Sequence, residues 1–281
     1  MSSSSIPLVT AIVSTYKSER FMRGCLEDLY AQTICDRMEV IVIDSGSPEN
    51  EGSIVHDFRR QHSNIHYFRT ERETVYQSWN RAIRAARGIY VTNANTDDRH
   101  FPHAFETLVR SLESHPTAAV AYADCDVTVV PGHPATSAPI VATLAWPDYD
   151  AHRLFQANFI GPQPMWRRDL HERYGFFDET FVTAGDYEFW LRLAKKEYFL
   201  HVAGRLGVYL MSPDSIEHRN RYADRDEAAI ARRRHWPPTW GEIPRPGGMF
   251  LRWRWAELAR LALRGEFAAL SNIRRSLFSK P

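Results

Sequence analysis

The chain has 281 residues, 44% hydrophobic and 25% charged, with a net charge of +1. That suits one large α/β domain, or one domain with a small appendage, and it excludes a global basic field for nucleic acid. The three cysteines, Cys25, Cys35 and Cys125, form no CxxC pair and no even set, so neither a zinc site nor a secreted disulfide scaffold is expected, and a reducing cytoplasm is.

Residues 1–5 are polar and uncharged and lack the basic and apolar regions of a signal peptide. No apolar run reaches the roughly 20 residues that span a bilayer, so work at a membrane would be surface work. Residues 8–14 form a short β-branched apolar run, the pattern of a strand buried on both faces. A helix is expected over about 21–32. A second buried strand, 39–44, ends in the turn-rich stretch Asp44 to Glu49. A helix and a short strand at 65–68 follow. Val75, Trp79, Ala82 and Ala86 recur at helical spacing, with Gly88 as the expected C-cap.

The strand at 89–92 then runs into Asn93-Ala94-Asn95-Thr96-Asp97-Asp98. Adjacent carboxylates at the carboxyl end of a buried strand suit a divalent cation, which in turn suits nucleotide phosphates. The structural alternative is a cap for the next helix, expected to start with Pro102 at its N1 position. A strand at 118–123 completes an alternating pattern that indicates a parallel, doubly wound sheet, with ligands bound beyond its carboxyl ends. Residues 131–150 read as a long loop or β-excursion. A helix is expected near 186–195, and residues 251–277 carry apolar helical stripes.

Four segments resemble one family, the family 2 glycosyltransferases. Val13 to Glu19 is similar to its first-strand signature, Glu39 to Glu49 to its Asp-Asp-Gly-Ser segment, and Gly88 to Asp98 to its Asp-x-Asp-Asp metal motif. Phe177-Asp178-Glu179 through Gly185-Asp186 to Leu193 is similar to its Phe-Asp-Glu … Glu-Asp segment. The four matches fall in order between residue 8 and about 220. Lys17, Ser45, Pro48, Asn95 and Gly185 depart from the pattern.

The resemblance implies a GT-A fold: an α/β architecture with a Rossmann-like, mostly parallel sheet, flanking helices and a C-terminal helical tail. It implies a nucleotide-sugar half at 1–125, an acceptor half at 126–235 and an extension at 236–281. It implies inverting transfer from a nucleotide diphosphate sugar, a UDP-sugar by default, to a glycan or lipid-linked acceptor, with Mg2+ or Mn2+ as cofactor. Asp97, Asp98 and His218 would serve the metal, and Asp186 would be the general base unless it only caps its helix. Ser14, Thr15, Tyr16, Glu19, Asp44, Arg72, Asn80, Asn95 and Thr96 would surround the nucleotide. Residues 159–166 would form a sugar-facing aromatic wall or pack in the core. The tryptophans at 236, 240, 253 and 255 would meet a membrane surface, pack on their own domain or form a dimer contact. A sugar nucleotidyltransferase and a binding protein without turnover are the alternative functions.

Overall fold

The computed structural model describes residues 6–212 and 221–241. In chain order the elements are β1 (Val9–Thr15), α1 (Glu19–Tyr30), β2 (Met38–Asp44), α2 (Glu51–Arg59), β3 (Ile65–Arg69), α3 (Val75–Ala85), β4 (Tyr90–Asn93) and β5 (Arg99–His100). They continue with α4 (Ala104–Ser114), β6 (Ala118–Thr128), β7 (Ala142–Leu144), α5 (Ala151–Leu154), β8 (Met165–Arg167), α6 (Leu170–Tyr174), α7 (Gly185–Leu193), β9 (Tyr198–Leu210) and α8 (Arg221–His235). The stripes at 251–277 lie outside the described residues.

The strands form one sheet in the order β3-β2-β1-β4-β8-β6-β9-β5, with β7 hairpinned onto β6. The first four are parallel, as expected for strands joined by helical crossovers. The simple doubly wound pattern stops at β4. β8 inserts antiparallel between β4 and β6, pairing Val91 with Trp166 on one side and Val120 with Trp166 on the other. The expected excursion within 131–150 is β7.

Both sheet faces are covered, which is why the strands read as continuous apolar runs. Ile12, Ile41 and Ile43 point to one layer with Trp79, Trp166 and Trp190, while Val13, Val40 and Val42 point to the other with Met22, Leu26 and Leu29. The alternation is the period-2 geometry of a strand. Trp236 and Trp240 stack edge-on against Phe155, so these two tryptophans pack on their own domain. Among the described residues no helix is long and apolar enough to cross a membrane.

Two expected helix ends are corrected. Pro102 precedes the N-cap of α4, His103, rather than opening the helix. Gly88 is not a C-cap: α3 ends at Ala85, with Ala86 extended at its cap. Gly88 N–H donates to Thr10 Oγ1 at 3.0 Å, and a Cβ at 88 would lie 2.5 Å from Thr10 N and 2.8 Å from Val9 C. The glycine serves the close approach of two backbones, which a local helix rule does not see. Gly88→Ala should therefore cost about 1–3 kcal/mol of stability by overpacking. A urea midpoint equal to that of the parent chain would contradict this.

Candidate active site

β4 delivers its polar end into a chain of side-chain hydrogen bonds. Asn93 Nδ2 donates to Pro162 O at 2.9 Å and to Asn95 Oδ1 at 3.2 Å. Asn95 Nδ2 donates to Asp98 Oδ2 at 3.0 Å, and Leu210 N–H reaches Asp98 Oδ1 at 3.1 Å. Asp98 is 1% exposed and Thr96 is buried, while Asp97 is half-buried. Burial pushes Asp98 well above the ordinary carboxylate range, the Asp97 charge adds to it, and the bonds from Asn95 and Leu210 only partly offset this. Burial also raises Asp97, against its backbone hydrogen bond and the attraction of Arg20.

Asn95 was expected as a neutral ligand or a ribose contact; here its amide bridges Asn93 and Asp98. An Asp at 95 could donate to Asp98 only when protonated. The next residue, Arg99, is drawn away into a bidentate pair with Asp28 at 2.6 and 2.7 Å. Neither Asp97 nor Asp98 caps α4, whose N-cap is His103.

Two adjacent carboxylates at the end of β4 fit a hard divalent ion, which one or two protein carboxylates and substrate phosphates can hold. Among the described residues no group of three or more His, Cys, Asp or Glu is arranged as a metal cage. His218 lies outside the described residues.

The ends of β1 and β2 are latched together by Glu51. Its Oε1 accepts from Thr15 Oγ1 at 3.2 Å, Ser18 N–H at 2.8 Å and Ser47 Oγ at 2.8 Å. Ser47 Oγ in turn accepts from Lys17 N–H. The residues expected around a nucleotide make these internal contacts here. Thr15 is buried with its hydroxyl turned to Glu51, and Ser14 lies half-buried in β1 opposite Ile43. Glu19 accepts Asn50 N–H at 3.0 Å on the exposed side. Asp44 is 0% exposed, and Ser47 N–H, the Tyr67 hydroxyl and the Arg69 guanidinium occupy its carboxylate at 2.8, 2.5 and 2.5 Å. A flat, accessible face does stand here: the Arg72 guanidinium lies 3.7 Å over the half-buried Tyr16 ring.

Asn80 was expected to fix a loop near the metal strand or to touch the nucleotide, and it lies on α3 facing the Phe177 segment. It is buried and clamps Phe177 from both sides, donating to its carbonyl at 2.9 Å and accepting its N–H at 3.0 Å. It fixes the Phe177–Glu179 segment, donating also to Glu179 Oε1 at 2.9 Å. Residues 159–166 are mostly core: Phe159, Ile160, Met165 and Trp166 are all buried.

Asp186 sits in the first turn of α7, one residue beyond Gly185; the N-cap is Ala184. Asp186 is half-buried. The Tyr76 hydroxyl donates to its Oδ1 at 3.1 Å, and Asn158 Nδ2 approaches its Oδ2 at 3.4 Å. Glu227 of α8 holds the preceding loop by accepting the N–H groups of Val182, Thr183 and Ala184 at 2.8–2.9 Å. Glu188, two residues on, is buried and paired with Arg192 and with His235 Nε2 at 2.6 Å. Tyr76, Asn158, Glu51 and Glu227 carry no local signal: Tyr76 reads as a core aromatic, and Glu227 as one charge in a charged helix.

The profile described as Glycosyl transferase family 2 matches residues 10–175. The chain belongs to glycosyl transferase family 2. Among similar family 2 proteins is EpsJ of Bacillus subtilis strain 168, an uncharacterized glycosyltransferase, 27% identical over 220 residues. The match covers 75% of this chain and 63% of EpsJ. The Escherichia coli chondroitin synthase is 23% identical over 70% of this chain, which spans 28% of that protein. This chain thus spans less than two thirds of the length of either relative.

Solved GT-A structures are also similar. S. aureus TarS 1-349 in complex with UDP-GlcNAc superposes with a TM-score of 0.64 at 17% identity, over 97% of this chain and 76% of that one. The mannosyltransferase PcManGT from Pyrobaculum calidifontis, in complex with GDP-Man and Mn2+, gives 0.60 at 18% identity, over 99% and 77%. The family 2 fold of the present chain is therefore a GT-A fold.

The contact between α7 and α8 should respond to acid. Burial alone would raise Glu227, but three backbone N–H groups and the Thr183 hydroxyl outweigh it and hold Glu227 below its ordinary value of 4.5. Burial works against Glu188 too, and the bonds from His235 and Arg192 leave it lowered as well. Groups depressed in the folded state stabilise fully above their unfolded value and lose that contribution as pH falls through the folded one. The urea midpoint should therefore drop as pH is lowered below about 4.5. Glu227→Gln should flatten this fall, and an unchanged slope would show that Glu227 does not carry the linkage.

Proposed function

We propose that the chain moves a sugar, with inversion at the anomeric carbon, from a nucleotide diphosphate sugar to a hydroxyl of a glycan or lipid-linked acceptor during polysaccharide assembly. A UDP-sugar is the favoured donor. The observation that carries the reading is the pair Asp97–Asp98 at the end of β4, two adjacent carboxylates, one buried and one half-buried, beyond the carboxyl end of a parallel strand. Asp97, the more accessible of the two, would be the direct ligand of Mg2+ or Mn2+, with Asp98 behind it. The bound ion would offset the charge of the departing diphosphate.

The remaining roles fall to this chain's own groups. The Tyr16–Arg72 stack offers a planar cationic face for a nucleobase or a phosphate. Asp186 takes the proton of the acceptor hydroxyl as that oxygen bonds to the anomeric carbon. The bond from that carbon to the diphosphate oxygen breaks, and its electron pair leaves with the diphosphate. Glu188 is less suited to the task, because its carboxylate is already ion-paired with Arg192 and hydrogen-bonded to His235.

Relatives of this chain include a chondroitin synthase and a hyaluronan synthase, and TarS is recorded with UDP-GlcNAc, which supports a UDP-sugar and a glycan product. The departures at 95 and 185 are matched by neighbouring residues, so they do not favour a binding protein without turnover. Mn2+ with UDP should raise the thermal midpoint of the chain, and chelation of the metal should reverse the gain. Asp97→Ala should lose both that gain and turnover, whereas an equal shift in the variant would refute the metal assignment. Asp186→Asn should keep the nucleotide-dependent shift while transfer falls by about a thousandfold or more; retained transfer would remove Asp186 as the base.

A further inference from the structure

Gly185 stands where the family pattern usually has Glu, directly before Asp186. The reason is room. A Cβ on Gly185 would lie 2.7, 2.8 and 2.9 Å from Cε2, Cδ2 and Cζ of the Tyr76 ring. The backbone at 185 has no left-handed conformation that would itself call for glycine. The ring is fixed from its other sides by Trp79, edge-on at 5.6 Å, and by Phe177 at 5.9 Å. From that seat its hydroxyl reaches Thr183 O at 2.8 Å and Asp186 Oδ1 at 3.1 Å. Burial, with the Asp186 charge beside it, holds Tyr76 in its protonated, donating form.

We propose that Tyr76 is a positioning residue for the base, aiming the Asp186 carboxylate through the gap that Gly185 leaves. This rests on reading Asp186 as the base. A carboxylate held in one orientation before the acceptor arrives needs no ordering during reaction. The shared donation also suits a group that must gain a proton. As Asp186 is neutralised, the hydroxyl can shift its hydrogen bond to Thr183 O, so the contact does not resist the transfer. Gly185 and Tyr76 thus act as a pair, in which the missing side chain at 185 and the ring at 76 occupy the same space.

The test uses the full chain with Mn2+ and UDP-glucose, UDP-galactose, UDP-GlcNAc or GDP-mannose, water as acceptor, and nucleotide release as readout. Tyr76→Phe keeps the ring and removes the hydroxyl. It should lower kcat about tenfold, with donor KM changed by less than about twofold. In the Asp186→Asn background the same substitution should reduce the residual rate no further, because the hydroxyl acts through the carboxylate. Gly185→Ala, which forces the ring aside, should lower kcat at least as much as Tyr76→Phe.

Unchanged kcat in Tyr76→Phe or in Gly185→Ala, with Asp186→Asn inactive, would overturn the positioning role and leave the base reading standing. An equal loss from Tyr76→Phe in both backgrounds would also overturn it, since that marks a general structural effect. Full turnover in Asp186→Asn, or no release from any donor by the parent chain, would remove the base reading and this proposal with it.

Discussion

The loops around the strand ends are held by carboxylates that accept backbone N–H groups. Asp44 takes Ser47 N–H, Glu51 takes Ser18 N–H, Asp98 takes Leu210 N–H, Asp28 takes His100 N–H, and Glu227 takes three successive groups before α7. A loop that leaves a buried strand carries amides with no ladder partner, and an unpaired buried amide costs as much as a lost hydrogen bond. Ionised acceptors make the strongest replacements. The acidic residues of this chain therefore build the site before any of them can act in it.

That constraint sorts the carboxylates by what remains of their charge. Asp44 faces Arg69 and Tyr67, Glu188 faces Arg192 and His235, and Asp28 faces Arg99. In these compensated pairs, removing the cationic partner would leave an uncompensated buried carboxylate. Asp97 and Asp98 differ, because burial dominates both and lifts them above the ordinary range. Perturbed acids at the ends of parallel strands are where ligand chemistry is expected in such sheets. Asp186 accepts from the Tyr76 hydroxyl and the Asn158 amide, whereas Glu188 pairs with Arg192 and His235.

What the sequence made legible is what local pattern controls. Strands buried on both faces announce themselves as β-branched runs, and α3 by the spacing of Trp79, Ala82 and Ala86. The strand-end acids at 97 and 98 are visible because they interrupt such a run. The insertion of β8 between β4 and β6 is not visible, since residues 165–167 are three among many short apolar stretches. Nor are the partners that turn Asp44 and Thr15 inward, because Tyr67, Arg69 and Glu51 reach them from neighbouring elements. Tyr76 meets Asp186 across a separation of 110 residues. Gly88 shows the same limit: a rule about helix ends reads it as a cap, whereas the backbone of another strand decides it.

The departures from the family pattern follow from these neighbours. Asn95 in place of an acid leaves two carboxylates at the end of β4 rather than three, and its amide supplies a donor that Asp98 needs. Gly185 in place of Glu yields its space to Tyr76, whose hydroxyl reaches the next residue. Lys17 adopts a positive φ of 54°, a conformation that Asn, usual in the family, enters more readily than Lys. Its N–H is tied to Ser47 in the Glu51 latch, so the strain is held by the same network that joins β1 to β2. In each case the changed residue is one half of a contact, and the second half lies elsewhere in the fold. A departure scored alone would suggest a damaged motif, while the contact it belongs to is intact. It is therefore pairs, Asn95 with Asp98 at the end of β4 and Gly185 with Tyr76 at the start of α7, that keep the local geometry.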